Sequence, residues 1–80
     1  MKILFFGQLR ENLNMAELVI DTCPDSVAQL RSLLAQKSPV WQQLLNNQNV
    51  LVAVNQTLTD DNKTLSVEDE IAFFPPVTGG

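Results

Sequence analysis

Phe73-Phe74-Pro75-Pro76-Val77-Thr78-Gly79-Gly80 closes the sequence with two aromatics, two prolines, two β-branched residues and two glycines. The chemistry this run can do is concentrated in its last residue. Gly80 offers a carboxylate with no side chain beside it, and Gly79 removes the bulk from the residue before. An end of this kind can enter a passage too narrow for any other residue. Val77 and Thr78 favour extended backbone, and Pro75-Pro76 start the segment in a stiff, extended direction. The pattern is what a C-terminal acyl carrier needs: a reactive carboxylate held on a stalk.

Little else in the chain competes for a chemical role. Histidine is absent and there is one cysteine, Cys23. Zinc and iron–sulfur ligation, Ser-His or Cys-His catalysis and an internal disulfide are therefore excluded. Cys23, between Thr22 and Pro24, is expected to be a small buried apolar filler. Asp60-Asp61 and Glu68-Asp69-Glu70 have no partner acid, base or metal-ligand pattern and read as a solvated face. The formal charge is −4, and the five basic residues, Lys2, Arg10, Arg31, Lys37 and Lys63, are scattered. Nucleic-acid binding needs a clustered positive surface and is not expected. An acidic carrier docking on basic enzyme surfaces fits better. No apolar run is long enough to span a membrane, and the opening Met1–Phe6 is too short for the core of a signal peptide, so a cytoplasmic location is expected.

The elements that must position this tail fit one small α+β domain, residues 1–74, with residues 75–80 as the tail. Lys2–Gln8 reads as a strand and Ala16–Ile20 as a second, joined by a turn over Glu11–Asn14 in which Asn14 takes the left-handed conformation. The period then changes. Ser26 with Gln29 three residues on is a capping-box pattern, and Val27, Leu30, Leu33 and Leu34 form one apolar stripe at helical spacing. Lys37 closes this main helix, and Pro39 ends it and opens a short second helix, with Trp41 as a core anchor facing Leu44 and Leu45. Val50–Gln56 is an apolar strand of central character. Thr57–Leu58 is a short edge strand, and Glu70–Pro75 is the last strand, stopped by proline. The economical architecture is one mixed sheet curling over one main helix.

Strand side chains alternate between faces. Ile3 and Phe5 oppose Leu4 and Phe6, and Ile71 and Phe73 oppose Ala72 and Phe74, so both faces of these strands are apolar. One main helix covers only one of them. Parity alone does not say which. Counted back from the tail, Ile3, Phe5, Ile71 and Phe73 belong to the core, and Phe6, Phe74 and Leu58 to an exposed patch of the kind that marks a protein interface. The alternative is that the short second helix or a loop covers that patch.

The chain resembles, from end to end, the small-subunit family of molybdopterin synthase, sulfur carriers of the ubiquitin-like β-grasp fold. The resemblance is carried by ILFFGQLRE at Ile3–Glu11, VAVNQTL at Val52–Leu58 and DEIAFFPPVTGG at Asp69–Gly80. It departs at two turns: Asn12-Leu13-Asn14 stands where members commonly carry glycine, and Glu68 replaces a glycine before the last strand. The resemblance implies that an E1-like enzyme with ATP adenylates Gly80, that sulfur transfer from a donor protein makes the thiocarboxylate, and that this sulfur attacks cyclic pyranopterin monophosphate held by a large subunit. It further implies a heterotetramer and two carriers consumed per dithiolene. ATP would act in trans, with no cofactor or metal bound, and the carrier would be a tethered co-substrate without a turnover site of its own. Gly80 is then the reacting residue and Gly79 gives clearance. Phe6, Leu58 and Phe74 form the docking surface, and Pro75, Pro76, Val77 and Thr78 engage the partner along the tail. The other readings are a sulfur carrier for thiamine thiazole synthesis, a ubiquitin-like protein modifier, and a non-reactive β-grasp binding module.

Overall fold

The computed structural model describes residues 1–46 and 49–75. Its elements run β1 (Lys2–Phe5), α1 (Gly7–Leu13), β2 (Glu17–Val19), α2 (Val27–Ala35), α3 (Pro39–Leu45), β3 (Leu51–Val54), β4 (Thr57–Thr59) and β5 (Glu70–Phe74). The strands form one five-stranded sheet in the order β2-β1-β5-β3-β4. β1 and β5 pair in parallel at its centre, and the remaining neighbours are antiparallel. This is the mixed sheet of an α+β β-grasp domain.

The first connection differs from the expected hairpin. β1 and β2 are antiparallel neighbours, with Ile3 opposite Leu18, but a helix joins them instead of a turn. The strand expected to reach Gln8 stops at Phe5 because Gly7 takes a φ of +59°. Leu9 and Leu13, four residues apart, then point the same way and bury. Asn14 ends α1 in the left-handed conformation, φ 55° and ψ 40°. Its N–H donates to the Glu11 carbonyl and that of Met15 to the Arg10 carbonyl, both at 3.2 Å, the hydrogen-bond pair of a Schellman stop. Asparagine thus fills the left-handed position where glycine is usual. Glu68, the other departure, is not among the described residues with positive φ, so its turn makes no demand for glycine.

Ser26 caps α2, its Oγ accepting from the Gln29 N–H at 3.3 Å. Gln29 returns the bond one residue earlier than expected, its Oε1 accepting from the Asp25 N–H at 2.9 Å. Val27, Leu30 and Leu34 are buried as the stripe predicts, but Leu33 is 40% exposed. The buried face is centred on Val27, Leu30, Arg31, Leu34 and Ala35, and Leu33 lies more than a residue's turn to one side of it. α2 ends at Ala35, so Lys37 lies beyond its last turn; its ammonium instead sits 5.7 Å from the Trp41 ring centroid. Ser38 caps α3 by accepting from the Trp41 N–H, with Pro39 in the first turn. Trp41 meets Phe5 edge-on at 5.5 Å between centroids.

The core gathers Ile3, Phe5, Ile71 and Phe73 from the central strands, Val52 and Val54 from β3, and Leu9, Leu30 and Leu45 from the helices. Phe5 and Phe73 stack at 6.1 Å. The four residues assigned to the core by parity are all buried there. Arg31 is the buried cation in this set, 8% exposed. It donates to the Leu45 carbonyl at 3.1 Å, the Val50 carbonyl at 2.6 Å and Asp61 Oδ1 at 2.9 Å, and its guanidinium lies 5.3 Å from the Phe73 ring centroid. One side chain thereby ties α2 to the end of α3, the start of β3 and the loop after β4.

Candidate functional site

The helices contribute their buried leucines to the face of the sheet that carries Ile3 and Phe73, and no helix among the described residues covers the opposite face. Strand register lays out that face residue by residue. One row crosses all five strands: Glu17, Leu4, Ala72, Ala53 and Leu58 stand side by side. The two alanines make the row low in the middle, between Leu4 and the 64% exposed Leu58. A second row lies toward the end of β5, where Phe74 faces Leu51. Phe6 extends it. Its backbone is still extended, φ −124° and ψ 159°, and its N–H donates to the Phe73 carbonyl at 3.1 Å, so its ring projects on the side opposite Phe5. Phe6 is 46% exposed and Phe74 half-buried.

The structure therefore brings Phe6, Phe74 and Leu58 onto one apolar face, with no described helix over it. Half-buried Leu51 completes it, with Ala53 buried in its floor; both were missed by sequence reasoning. The available signal was β3 itself, apolar at every position, which a strand covered on one face only does not require. The rim is polar: Lys2 and Glu17 form an ion pair at 3.4 Å, both about half exposed, and Glu70 begins β5.

Two local devices hold the strand that leads into the tail. At its start, Asn55 accepts from the Glu70 N–H at 3.0 Å and donates to Asp69 Oδ1 at 2.9 Å. Asp69 Oδ2 accepts from the Ser66 N–H at 2.8 Å. These hydrogen bonds, the Ser66 backbone bond first and the Asn55 side chain second, hold the Asp69 carboxyl below its ordinary range. Asn55 and Gln56, both at positive φ, form the two-residue turn between β3 and β4. At the far end of β5, Pro75 lies against Gly7, whose missing side chain leaves room for the proline ring.

Pro76, Val77, Thr78, Gly79 and Gly80 lie outside the described residues. Among the described residues no group of His, Cys, Asp and Glu side chains could hold a metal ion, and no helix is long and apolar enough to cross a membrane. Cys23 corrects its expectation. It is exposed, not a core filler, because the segment before α2 runs over the surface. Its Sγ makes only long contacts to the Pro24 and Leu65 carbonyls, 3.6 and 3.8 Å. Among the described residues, the geometry is that of an apolar sheet face beside the end of β5.

The ThiS family model matches residues 3–80. The chain belongs to the ThiS family. It is 42% identical over 79 residues to the molybdopterin synthase sulfur carrier subunit of Escherichia coli, spanning 99% of this chain and 98% of that protein. It is 40% identical to the protein of the same name from Haemophilus influenzae, over 100% and 99% of the two chains. Among solved structures, small archaeal modifier protein 1 of Haloferax volcanii superposes with a TM-score of 0.80 at 24% identity, covering 100% of this chain and 98% of that one, which supports the ubiquitin-like β-grasp fold. A chain in the complex of subunits 1 and 2 of the Helicobacter pylori molybdopterin-converting factor superposes with a TM-score of 0.67 at 26% identity, over 99% and 96%.

Proposed function

We propose that this ThiS-family chain is the sulfur carrier subunit of a molybdopterin synthase, and that Gly80 carries the sulfur. The observation that carries this reading is the union of an uncovered apolar face and the tail on one strand. β5 supplies Ala72 and Phe74 to the face and runs directly into Pro75. A partner that grips the face receives the tail in a fixed sense. The end-to-end similarity to proteins named as sulfur carrier subunits supports the same reading, and the Helicobacter pylori complex supports a large-subunit partner.

The chemistry follows from what a carboxylate lacks. Hydroxide is a poor leaving group, so the Gly80 carboxylate first attacks the α-phosphate of ATP on an E1-like enzyme, releasing pyrophosphate and forming an acyl adenylate. The outer sulfur of a persulfide on a donor protein then attacks the acyl carbon and displaces AMP. A thiol cleaves the S–S bond of the resulting acyl disulfide, taking the donor sulfur into a disulfide and releasing the thiocarboxylate. Its sulfur attacks an oxygen-bearing carbon of the pterin precursor's side chain in the large subunit; the carbon–oxygen bond breaks, its oxygen leaving on the phosphate or as water, and a thioester forms. Water cleaves the acyl–sulfur bond, returning the Gly80 carboxylate and leaving sulfur on the pterin. Two carriers supply the two sulfurs of the dithiolene, which fits a heterotetramer with one carrier for each large subunit. Phe6, Leu58 and Phe74 dock, Pro75, Pro76, Val77 and Thr78 thread, and Gly79 gives clearance beside the reacting carbon.

The test is the intact mass of the protein after incubation with an E1-like activating enzyme, ATP and a sulfur donor. A gain equal to one sulfur replacing one oxygen is expected, abolished when a residue is appended after Gly80. Transfer of that sulfur to cyclic pyranopterin monophosphate with the large subunit identifies the acceptor; transfer to a lysine amine as an amide bond would overturn it in favour of a protein modifier.

A further inference from the structure

Gly7 makes two demands that no other residue meets together. Its φ of +59° is strained for any residue with a Cβ. A Cβ built there would also stand 3.2 Å from Pro75 Cγ and 3.3 Å from Pro75 Cδ, inside ordinary carbon–carbon contact. Gly7 sits where three constraints converge. The Phe6 N–H makes a bond to the Phe73 carbonyl, the Phe6 carbonyl accepts from the Arg10 N–H at 3.2 Å, and α1 begins at Gly7 itself. The seat beneath Pro75 is thus held by both the sheet and α1.

We propose that Gly7 is a positioning residue for sulfur transfer: the bare backbone at Gly7 seats the Pro75 ring and so sets the direction in which the tail leaves the domain. This rests on the carrier reading above. Five residues separate Pro75 from the carboxylate of Gly80, a span of at most about 17 Å, so the direction set at Pro75 bears on where that carboxylate can reach. Misplacement of a reacting group is enough to slow a positioned reaction by about a hundredfold. Docking through the sheet face does not depend on it. A wrongly aimed tail therefore costs rate within the complex more than affinity, because the sheet face still docks.

The test is a cycle of Gly7→Val and Pro75→Ala, with Gly7→Ala replacing the valine variant should that one not fold. Three quantities are read: the melting temperature, the Kd for the large subunit, and the single-turnover rate of sulfur transfer from thiocarboxylated protein in the preformed complex. Gly7→Val is expected to lower that rate about tenfold or more with Kd within about twofold. In the Pro75→Ala background, where the ring is gone, the rate penalty should fall to a small fraction. The loss of melting temperature, which comes from backbone strain at Gly7, should persist in both backgrounds. An unchanged rate, or an equal rate penalty in both backgrounds, overturns the proposal. Residual dipolar couplings of the Val77 and Thr78 amides in the free proteins read the tail's direction without any chemistry. They should change with Gly7→Ala when Pro75 is present and not in Pro75→Ala. If wild-type protein transfers no sulfur, the carrier reading fails, and these couplings still decide the positioning role, no change overturning it.

Discussion

Phe73 and Phe74 are consecutive and have opposite surroundings. Phe73 is fully buried beneath the Arg31 guanidinium, while Phe74 stands on the uncovered face opposite Leu51. The two-residue period of a strand divides the labour: one ring secures β5 to the core, and the next presents an apolar surface at the root of the tail. Any shift of register by one residue would exchange them, placing the tail's neighbour inside and the core ring in water. The long β1–β5 parallel ladder and the Asn55–Asp69 network guard against that shift at the start of the strand.

Leu58 tests the proposed docking face without touching the core. It is 64% exposed on the edge strand β4, so Leu58→Glu should change unfolding free energy by no more than about 0.5 kcal/mol. A charge set into an apolar contact should nevertheless weaken large-subunit binding by about 2 kcal/mol or more, roughly thirtyfold. Calorimetric titration alongside thermal melts separates the two. Equal binding by the variant would remove Leu58 from the interface.

Arg31 carries the opposite expectation. Arg31→Met leaves the Leu45 and Val50 carbonyls without the guanidinium and Asp61 without its cation. Each buried carbonyl so stranded costs about 1–3 kcal/mol, and a loss of about 2–4 kcal/mol in urea unfolding is expected. Arg31→Lys should recover only part of it, since an ammonium cannot reach several acceptors with a planar fork. The proposed docking face lies on the other side of the sheet, so binding measured well below the melting temperature should be unaffected.

Much of this was legible in the sequence because its signals are local. The Ser26 cap, the restart at Pro39, the left-handed Asn14 and the division of Phe5 from Phe6 each follow from a few adjacent residues. The α1 helix was not legible: Gln8–Leu13 offers only Leu9 and Leu13 at helical spacing, and the preceding apolar run argues for a continuing strand. What stops that strand is Gly7, whose φ is +59° and whose bare backbone lies against Pro75, a residue near the other end of the chain. Arg31 is another such case. On α2 it occupies a core position by virtue of acceptors in α3, β3 and the loop after β4, none of which α2 itself announces. For the same reason apolar spacing alone points to Leu33 for the stripe that Arg31 in fact occupies. Residue type alone misleads at Cys23, since burial depends on the path of the loop that carries it.

Cys23 accordingly should react with an aromatic disulfide reagent in the folded protein. It is exposed and held only by long contacts. Modification should proceed without unfolding, at a rate independent of added urea below the transition. Cys23→Ser should leave stability within about 0.5 kcal/mol and sulfur loading at Gly80 unchanged. Loss of loading in Cys23→Ser would instead place the thiol in the transfer path.

Asp69 provides a pH dependence with a definite sign. Its carboxylate accepts from the Ser66 N–H and the Asn55 side chain, and both bonds favour the ionised form, so the folded state holds its pKa below the ordinary value. A group depressed in this way contributes stability at pH values above the unfolded carboxylate range, near pH 4, and the contribution is lost as pH falls through that range and past the folded pKa. Stability should therefore decline from about pH 5 downward, with part of the decline belonging to Asp69. Asp69→Asn keeps the size of the side chain and removes the titration, so its stability should fall less steeply over the same range while lying lower at neutral pH. Urea midpoints measured from pH 7 to pH 3 for both proteins give the comparison, and parallel curves would mean that the Asn55–Asp69 network at the start of β5 does not depend on the charge.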